Sequence, residues 1–444
     1  MPDLRSSKYS AMERIRFNYR DFCGLEEGTI SQVGKALSQY QSELLSIGGK
    51  MEYGTHESSI NLSFDQEMHN EINAVAQKLI TSSLKYIIHV GIGGSNLGTQ
   101  AIYEAYVGNL DPFLIERVPK IIFIDTVNDA KLVALQNILR VLGSSDEVAV
   151  VVVSKSGITT ETVANFEIIY TLLKDRFGEV NHRIVMVTDR GSKLWVAGES
   201  EGFVLLPIPK KVGGRFSVFS AAGTLSLILS GIPVDEAREG ASLAREFALS
   251  SSLEENDALL SAVILFLYHE KGIHTHNNFL FDSSLEFLGK WHRQLLAEST
   301  GKDGKGILPI VSIGSTDLHS VGQFYLGGNH RAITTFVHEA NEHKQTHTRI
   351  KSLPLLPELV LNIAGKSPRE INDAIYQGVK EAYRKRGLPF MEITLPNLSL
   401  KTIGVYMQTK MIEVMYLAHL LGVNAFDQPN VESYKDETRD ILKR

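Results

Sequence analysis

From about residue 85 the chain alternates short apolar runs with longer stretches whose apolar residues recur every three or four positions. Tyr86-Ile87-Ile88-His89-Val90, Ile121-Ile122-Phe123-Ile124-Asp125, Val148 to Val153, Arg183-Ile184-Val185-Met186-Val187 and Phe203-Val204-Leu205-Leu206 have the length and β-branched content of buried strands. With helical segments between them, that order predicts a parallel sheet covered by helices on both faces. After a helix-rich bridge the alternation resumes. Phe279-Leu280-Phe281, Ile307 to Ile313, Ile333 to Val337 and Met391-Glu392-Ile393 read as strands of a second sheet, with Asp257 to Lys271, Leu285 to Ser299 and Pro368 to Arg386 as helices. Upstream, Ile30 to Leu45 sets Val33, Leu37, Tyr40 and Leu44 on one apolar face, which predicts a helical arm over residues 1–50. The expected architecture is α/β: this arm, then two doubly wound units with mainly parallel sheets, dividing near residues 230–250. We take the units as 51–240 and 241–444, the second ending in a helical segment. Glycine and proline punctuate strand ends without forming a long linker, so the two units are expected to pack closely.

With 444 residues, 43% of them hydrophobic, the chain can bury a large core. Its 45 Lys plus Arg against 51 Asp plus Glu leave a charge of −6, which offers no electrostatic footprint for nucleic acid or an anionic membrane. Any phosphate is therefore held locally. The single cysteine, Cys23, excludes an intramolecular disulfide and a multi-cysteine metal centre. Met1 to Arg20 mixes charge with apolar residues and lacks the apolar stretch of a secretory signal. Ala258 to Tyr268 is interrupted by Ser261 and followed by His269, Glu270 and Lys271, too short to span a bilayer. A cytoplasmic location is expected.

The segment Ser154-Lys155-Ser156-Gly157-Ile158-Thr159-Thr160-Glu161-Thr162 follows the apolar run Val148 to Val153. A strand emptying into small hydroxyls, a glycine and a helix start builds a phosphate cup, because backbone N–H groups and hydroxyls converge on one anion. The segment lacks the GxxxxGK[ST] arrangement of nucleoside triphosphate sites, so the expected ligand is a phosphorylated small molecule. Gly91-Ile92-Gly93-Gly94-Ser95-Asn96-Leu97-Gly98 approximates a dinucleotide fingerprint, but Asn96 stands where the third glycine belongs. In Lys211-Val212-Gly213-Gly214-Arg215-Phe216-Ser217 a guanidinium follows two glycines and suits an oxyanion at fixed geometry. Glu298 falls at the end of the helix Leu285 to Ser299, where the dipole disfavours a carboxylate, a placement suited to acid–base work; Gln294 precedes it by one turn. His319 follows the strand Ile307 to Ile313. His343 with His347, and His274 with His276, have pairwise spacings without the carboxylate of a HExxH motif, so no metal site is expected. Gln428 and Lys435 share a face only where the chain turns helical after Pro429.

Taken in order, GIGGSNLG at 91–98, SKSGITTET at 154–162, VGGRFS at 212–217, ESTGKDGKGI at 298–307, TDLHS at 316–320 and FDQPNVESYK at 426–435 resemble the phosphoglucose isomerase family, in its shorter bacterial branch. The resemblance spans nearly the whole chain. It implies two sugar-isomerase-type domains, no metal or nucleotide cofactor, and a homodimer with active sites at the subunit boundary. It implies substrate phosphate on Ser154, Ser156 and Thr159, with Lys155 beside them, Gln428 also on the phosphate, and Gly94 and Ser95 on the sugar side. Glu298 matches the base that moves a proton between C2 and C1 through a cis-enediol. Arg215 matches the group that stabilises the enediolate, with Gln294 nearby. His319, from the neighbouring subunit, and Lys435 match the residues that open the sugar ring. The chain departs from the family at Asn430, where glycine is usual, and at Thr300, where the branch often has Glu; neither supplies a proton.

The expected activity is interconversion of glucose 6-phosphate and fructose 6-phosphate in glycolysis and gluconeogenesis. Two other classes remain beside it: a sugar-phosphate sensor without turnover, and an NAD-dependent dehydrogenase using loop 91–98. Glu298, Arg215, His319 and Lys435 together argue against the sensor, which needs no proton-transfer set. The incomplete fingerprint argues against the dehydrogenase.

Overall fold

The computed structural model describes residues 15–443 except 251, 329–330, 341–347, 353–354 and 357–358. Among the described residues ten strands form two five-stranded sheets. They are β1 (Arg16–Asn18), β2 (Tyr86–Val90), β3 (Lys120–Ile124), β4 (Val148–Val153), β5 (Ile184–Asp189), β6 (Val204–Ile208), β7 (Thr275–Leu280), β8 (Leu308–Ile313), β9 (Ile333–Glu339) and β10 (Phe390–Leu395).

The first sheet runs β3-β2-β4-β5-β6, every pair parallel. All six residues of β4 are buried, as expected of a central strand with helices on both faces. β6 extends to Ile208 through Pro207. A proline is tolerated there because β6 is an edge strand and one side of its backbone needs no ladder donor. The second sheet runs β1-β10-β9-β7-β8 and is parallel except for β1, which lies antiparallel to β10.

Two departures from the sequence reading have physical causes. The arm is helical over Glu27–Ala36 and Ser38–Lys50, but Arg16–Asn18 is a strand that pairs with β10 across the chain. Three residues carry too little periodicity to announce a strand; the exposed edge of β10 creates it. β7 begins four residues before Phe279, because His276, Asn277 and Asn278 are fully buried polar residues. His276 meets the Thr335 hydroxyl at 2.7 Å, Asn277 accepts from Ser312 Oγ at 3.0 Å, and Asn278 meets His292. Each thus has one polar partner, while His276 Nδ1, Asn277 Nδ2 and Asn278 Oδ1 have none among the described residues, and the run of polar side chains hides the strand from an apolar pattern.

The helix Leu400–Leu421 is buried on nearly every side and packs against Val234–Ala248, Asp257–Glu270 and Glu286–Thr300. Its contact with Val234–Ala248 is backbone to backbone. A Cβ at Gly240 would lie 1.9 Å from the Lys401 carbonyl oxygen, and one at Gly404 2.0 Å from that of Ala237. Only glycine at both positions permits that approach. Helix Pro368–Lys385 starts on a capping box in which Ser367 and Glu370 satisfy each other's backbone N–H groups. Among the described residues no helix is long and apolar enough to cross a membrane.

Candidate active site

In an open parallel sheet the loops at the carboxyl ends of strands form the ligand crevice. After β4 the chain turns through Ser154–Thr159 into the helix Thr160–Phe177. Ser154 Oγ lies 3.0 Å from Thr159 Oγ1, and the Gly157 N–H donates to the Ser154 carbonyl at 3.1 Å. Gly157 has φ +69°, and a Cβ there would meet Leu194 N and Cβ at 2.9 Å. The turn is thus pressed against the start of the next helix and requires glycine. The Lys155 ammonium turns aside to Asp189 Oδ2 at 3.1 Å and the Lys210 carbonyl at 2.9 Å. Burial pushes the Asp189 carboxyl pKa up, against the opposing pull of Lys155.

Loop 91–96 follows β2, the neighbour of β4. A Cβ at Gly94 would sit 2.4 Å from Gly214 C and 2.5 Å from Arg215 N, so these two glycine turns are in backbone contact. The close-approach face of loop 91–96 is therefore occupied by the Arg215 turn, which removes the reason to read it as a pyrophosphate cradle. Beneath the loop, His89 is fully buried and bridges the Ser95 carbonyl at 2.7 Å and Ser226 Oγ at 2.8 Å. Burial holds its pKa down to about 4, so the neutral ring donates from Nε2 to the carbonyl and accepts at Nδ1.

Helix Glu286–Thr300 brings Gln294 and Glu298 to the same place. Gln294 lies under Gly93, where a Cβ would meet its Nε2 at 2.8 Å, and donates from that nitrogen to Glu298 Oε1 at 3.1 Å. Glu298 Oε2 accepts from Arg215 Nη1 at 3.2 Å. The guanidinium, 4% exposed, also donates to Ser299 Oγ, Gln428 Oε1 and the carbonyls of Ala425 and Asp427. Burial lowers its pKa from the usual arginine value, opposed by Glu298 and Asp427. Its charge also sits where it offsets the unfavourable dipole at the end of the helix that carries Glu298.

Five expected residues thus stand in one constellation: Gly94, Arg215, Gln294, Glu298 and Gln428. Ser95 sits in the same glycine loop, and Ser154, Ser156 and Thr159 line the adjacent strand end, Ser156 exposed. His319 and Lys435 are not brought to Glu298 by any contact among the described residues. His319, in the 3-10 turn Thr316–His319, is exposed and makes no side-chain hydrogen bond to the described residues. Lys435 lies on helix Glu432–Leu442, which buries none of its residues, and pairs with Glu432 at 2.7 Å. His343 and His347 lie outside the described residues; among those described, no three His, Cys, Asp or Glu side chains group to hold a metal. Thr300 is buried, and its hydroxyl donates back to the Leu296 carbonyl one turn earlier in the same helix at 2.8 Å. The sequence reading missed His89, Asp189, Ser299, Lys302 and Asp427. Ser299 and Lys302 lie in ESTGKDGKGI and Asp427 in FDQPNVESYK, yet no periodicity marks a side chain whose partners lie more than eighty residues away.

A family model described as phosphoglucose isomerase matches residues 63–444. A glucose-6-phosphate isomerase of Enterococcus faecalis is 34% identical, covering 84% of this chain and 83% of that protein. One from Staphylococcus saprophyticus is 31% identical, over 93% and 94%. Among solved structures, a hypothetical protein of Thermus thermophilus superposes with a TM-score of 0.85 at 29% identity, covering 97% of this chain and all of that one. A glucose-6-phosphate isomerase of Chlamydia trachomatis shares the fold with a TM-score of 0.78 at 20% identity, over 98% of this chain and 89% of that one.

Proposed function

This chain belongs to the phosphoglucose isomerase family and interconverts glucose 6-phosphate and fructose 6-phosphate, and we propose that Glu298 is the group that carries the proton between C2 and C1. The observation that supports this assignment is the Arg215–Glu298 contact at 3.2 Å, made beside the glycine loop and next to the phosphate cup. On the open-chain aldose, Glu298 takes the C2 proton. The C–H electron pair forms the C1–C2 double bond, and charge moves onto the C1 oxygen, where Arg215 stabilises it. The O2 proton passes to O1, which shifts the charge of the cis-enediol intermediate onto O2, and as the C2 carbonyl forms Glu298 returns its proton to C1, leaving the ketose with a hydroxyl on C1. The step is redox-neutral overall and calls on no cofactor. Residues 51–240 supply the cup and Arg215; residues 241–444 supply Gln294, Glu298 and Gln428.

In this reading the phosphate is bound by Ser154, Ser156 and Thr159, the backbone at Lys155 and the Gln428 amide. Charge-assisted hydrogen bonds contribute about 1.5–3 kcal/mol each, so three or four hold a phosphate dianion without a basic surface. Lys435 and His319 open the ring. We assign His319 to a second copy of the chain, because within one copy it is exposed and no contact among the described residues brings it to Glu298. The active form is then a homodimer with its sites at the subunit boundary, working in the cytoplasm.

Purified protein supplied with fructose 6-phosphate in deuterated water should form glucose 6-phosphate carrying solvent hydrogen at C2. Absence of turnover would refute the activity. Glu298→Gln and His319→Ala dimers, each inactive, should regain activity when dissociated, mixed and reassociated, since a mixed dimer has one site with neither lesion. No recovery would return His319 to its own chain.

A further inference from the structure

The segment between helix Leu400–Leu421 and the 3-10 turn Pro429–Val431 carries Gln428 and offers its carbonyls to Arg215, yet belongs to no sheet or long helix. Such a strap has few local hydrogen bonds to fix it. Of its side chains, Ala425 is buried, Phe426 packs on Phe216 and His56 with ring centroids 5.1 and 5.6 Å away, and Asn424 folds back onto the Phe426 N–H and Asp427 Oδ2. Arg215 grips it through the Ala425 and Asp427 carbonyls and Gln428 Oε1. Arg215 also faces Glu298, and a guanidinium that must respond to charge on a substrate oxygen is a poor sole anchor for a ligand-bearing strap.

A second anchor comes from just beyond the base-bearing helix. Lys302 is 6% exposed, unusual burial for a lysine without partners, and its ammonium meets Asp427 Oδ1 at 2.8 Å and the Asn424 carbonyl. Three residues on, Lys305 donates to the Leu421 carbonyl at 2.7 Å, where a cation suits the helix C-terminus. We propose that Lys302, through its ion pair with Asp427 and its bond to the Asn424 carbonyl, is the positioning residue that sets the strap, so that Gln428 reaches both Arg215 and the substrate phosphate. This rests on the reading of Gln428 as a phosphate contact. Lys302 does not touch substrate; it couples the end of the helix carrying Glu298 to the strap carrying Gln428.

The test is a double-mutant cycle on the full-length enzyme, with KM for fructose 6-phosphate and the inhibition constant of inorganic phosphate as readouts. Lys302→Met removes the ammonium. Asp427→Asn is the milder variant, half-exposed and isosteric, for use where Lys302→Met fails to fold. Each alone should weaken phosphate inhibition and raise KM by about three-fold or more, the low end of coupling seen between contacting residues, with a smaller change in kcat. In a Gln428→Ala background the same substitution should have little further effect, because the strap then positions nothing. Full, multiplicative effects in that background would overturn the assignment of Lys302 while leaving Gln428 in place. An unchanged phosphate inhibition constant in Gln428→Ala alone would overturn the phosphate role of Gln428 and the assignment to Lys302 with it. A merely structural lysine would lower stability without this loss of effect.

Discussion

Glu298→Gln isolates the proton-transfer step, because the surroundings of the carboxylate accept an amide without rearranging. Oε2 faces Arg215 Nη1 at 3.2 Å and Oε1 faces Gln294 Nε2 at 3.1 Å. In the variant the amide oxygen stays on the guanidinium and the new NH2 turns toward Gln294. Two donors would then oppose each other, but Gln294 Oε1 is buried without a hydrogen-bond partner among the described residues. A flip of the Gln294 amide therefore presents an acceptor and satisfies an atom that lacks one. Fold and ground-state binding are retained, and the loss falls on chemistry. Positioned acid–base catalysis contributes roughly 10² to 10⁴ in rate, so kcat should fall by at least about 10², or about 2.7 kcal/mol at 1.36 kcal/mol per decade, with KM changed by no more than about three-fold. The assay is the coupled isomerisation in both directions, with solvent exchange at C2 followed by NMR in the same samples. A kcat within ten-fold of the parent, or C2 exchange persisting at the parental rate, would refute Glu298 as the base. A raised KM at unchanged kcat would make it a binding residue.

Ser156→Ala should act through KM, raising it about ten-fold or more if one charge-assisted bond to the phosphate is lost. Among the described residues the Ser156 hydroxyl makes only a 3.4 Å contact with the Ile158 N–H, so a thermal melt should be unchanged, and an unaltered KM would take it out of the cup. Gly94→Ala drives a methyl to within 2.4 Å of the Gly214 carbonyl carbon, where no flexible side chain can yield, and should cost about 1–3 kcal/mol of stability and most of the activity. A melt and a rate like the parent's would refute the backbone contact. Burial pushes the Glu392 carboxyl up, but bonds from His338, Lys380 and Tyr376 outweigh it and hold its pKa down to about 2. A depressed carboxyl contributes stability above its unfolded value, and that contribution fades as pH falls from about 4.5 towards 2, on the order of 3 kcal/mol in all. Glu392→Gln should therefore destabilise at pH 7 and converge on the parent in acid; a penalty independent of pH in denaturant titrations would contradict this.

What the sequence determined by itself was whatever a local period encodes. Runs such as Val148 to Val153 state both their conformation and their burial, because alternation or continuity of apolar side chains reports which faces meet the core. The strand, hydroxyl turn and helix start proposed to hold the phosphate were legible for the same reason, since they are contiguous. The grouping of Arg215, Glu298 and Gln428 was legible only through resemblance to a family, since eighty-three residues separate the first pair and two hundred and thirteen the first from the last. Tertiary structure alone decided that β1 closes the edge of β10, that polar β7 lies inside a sheet, that Lys155 turns away to Asp189, and that Lys302 reaches the strap. In each case the deciding partner comes from a distant part of the chain. A buried asparagine or lysine is stable only beside the group that replaces its water, and which group that is depends on how helices and sheets pack, a relation no local period records.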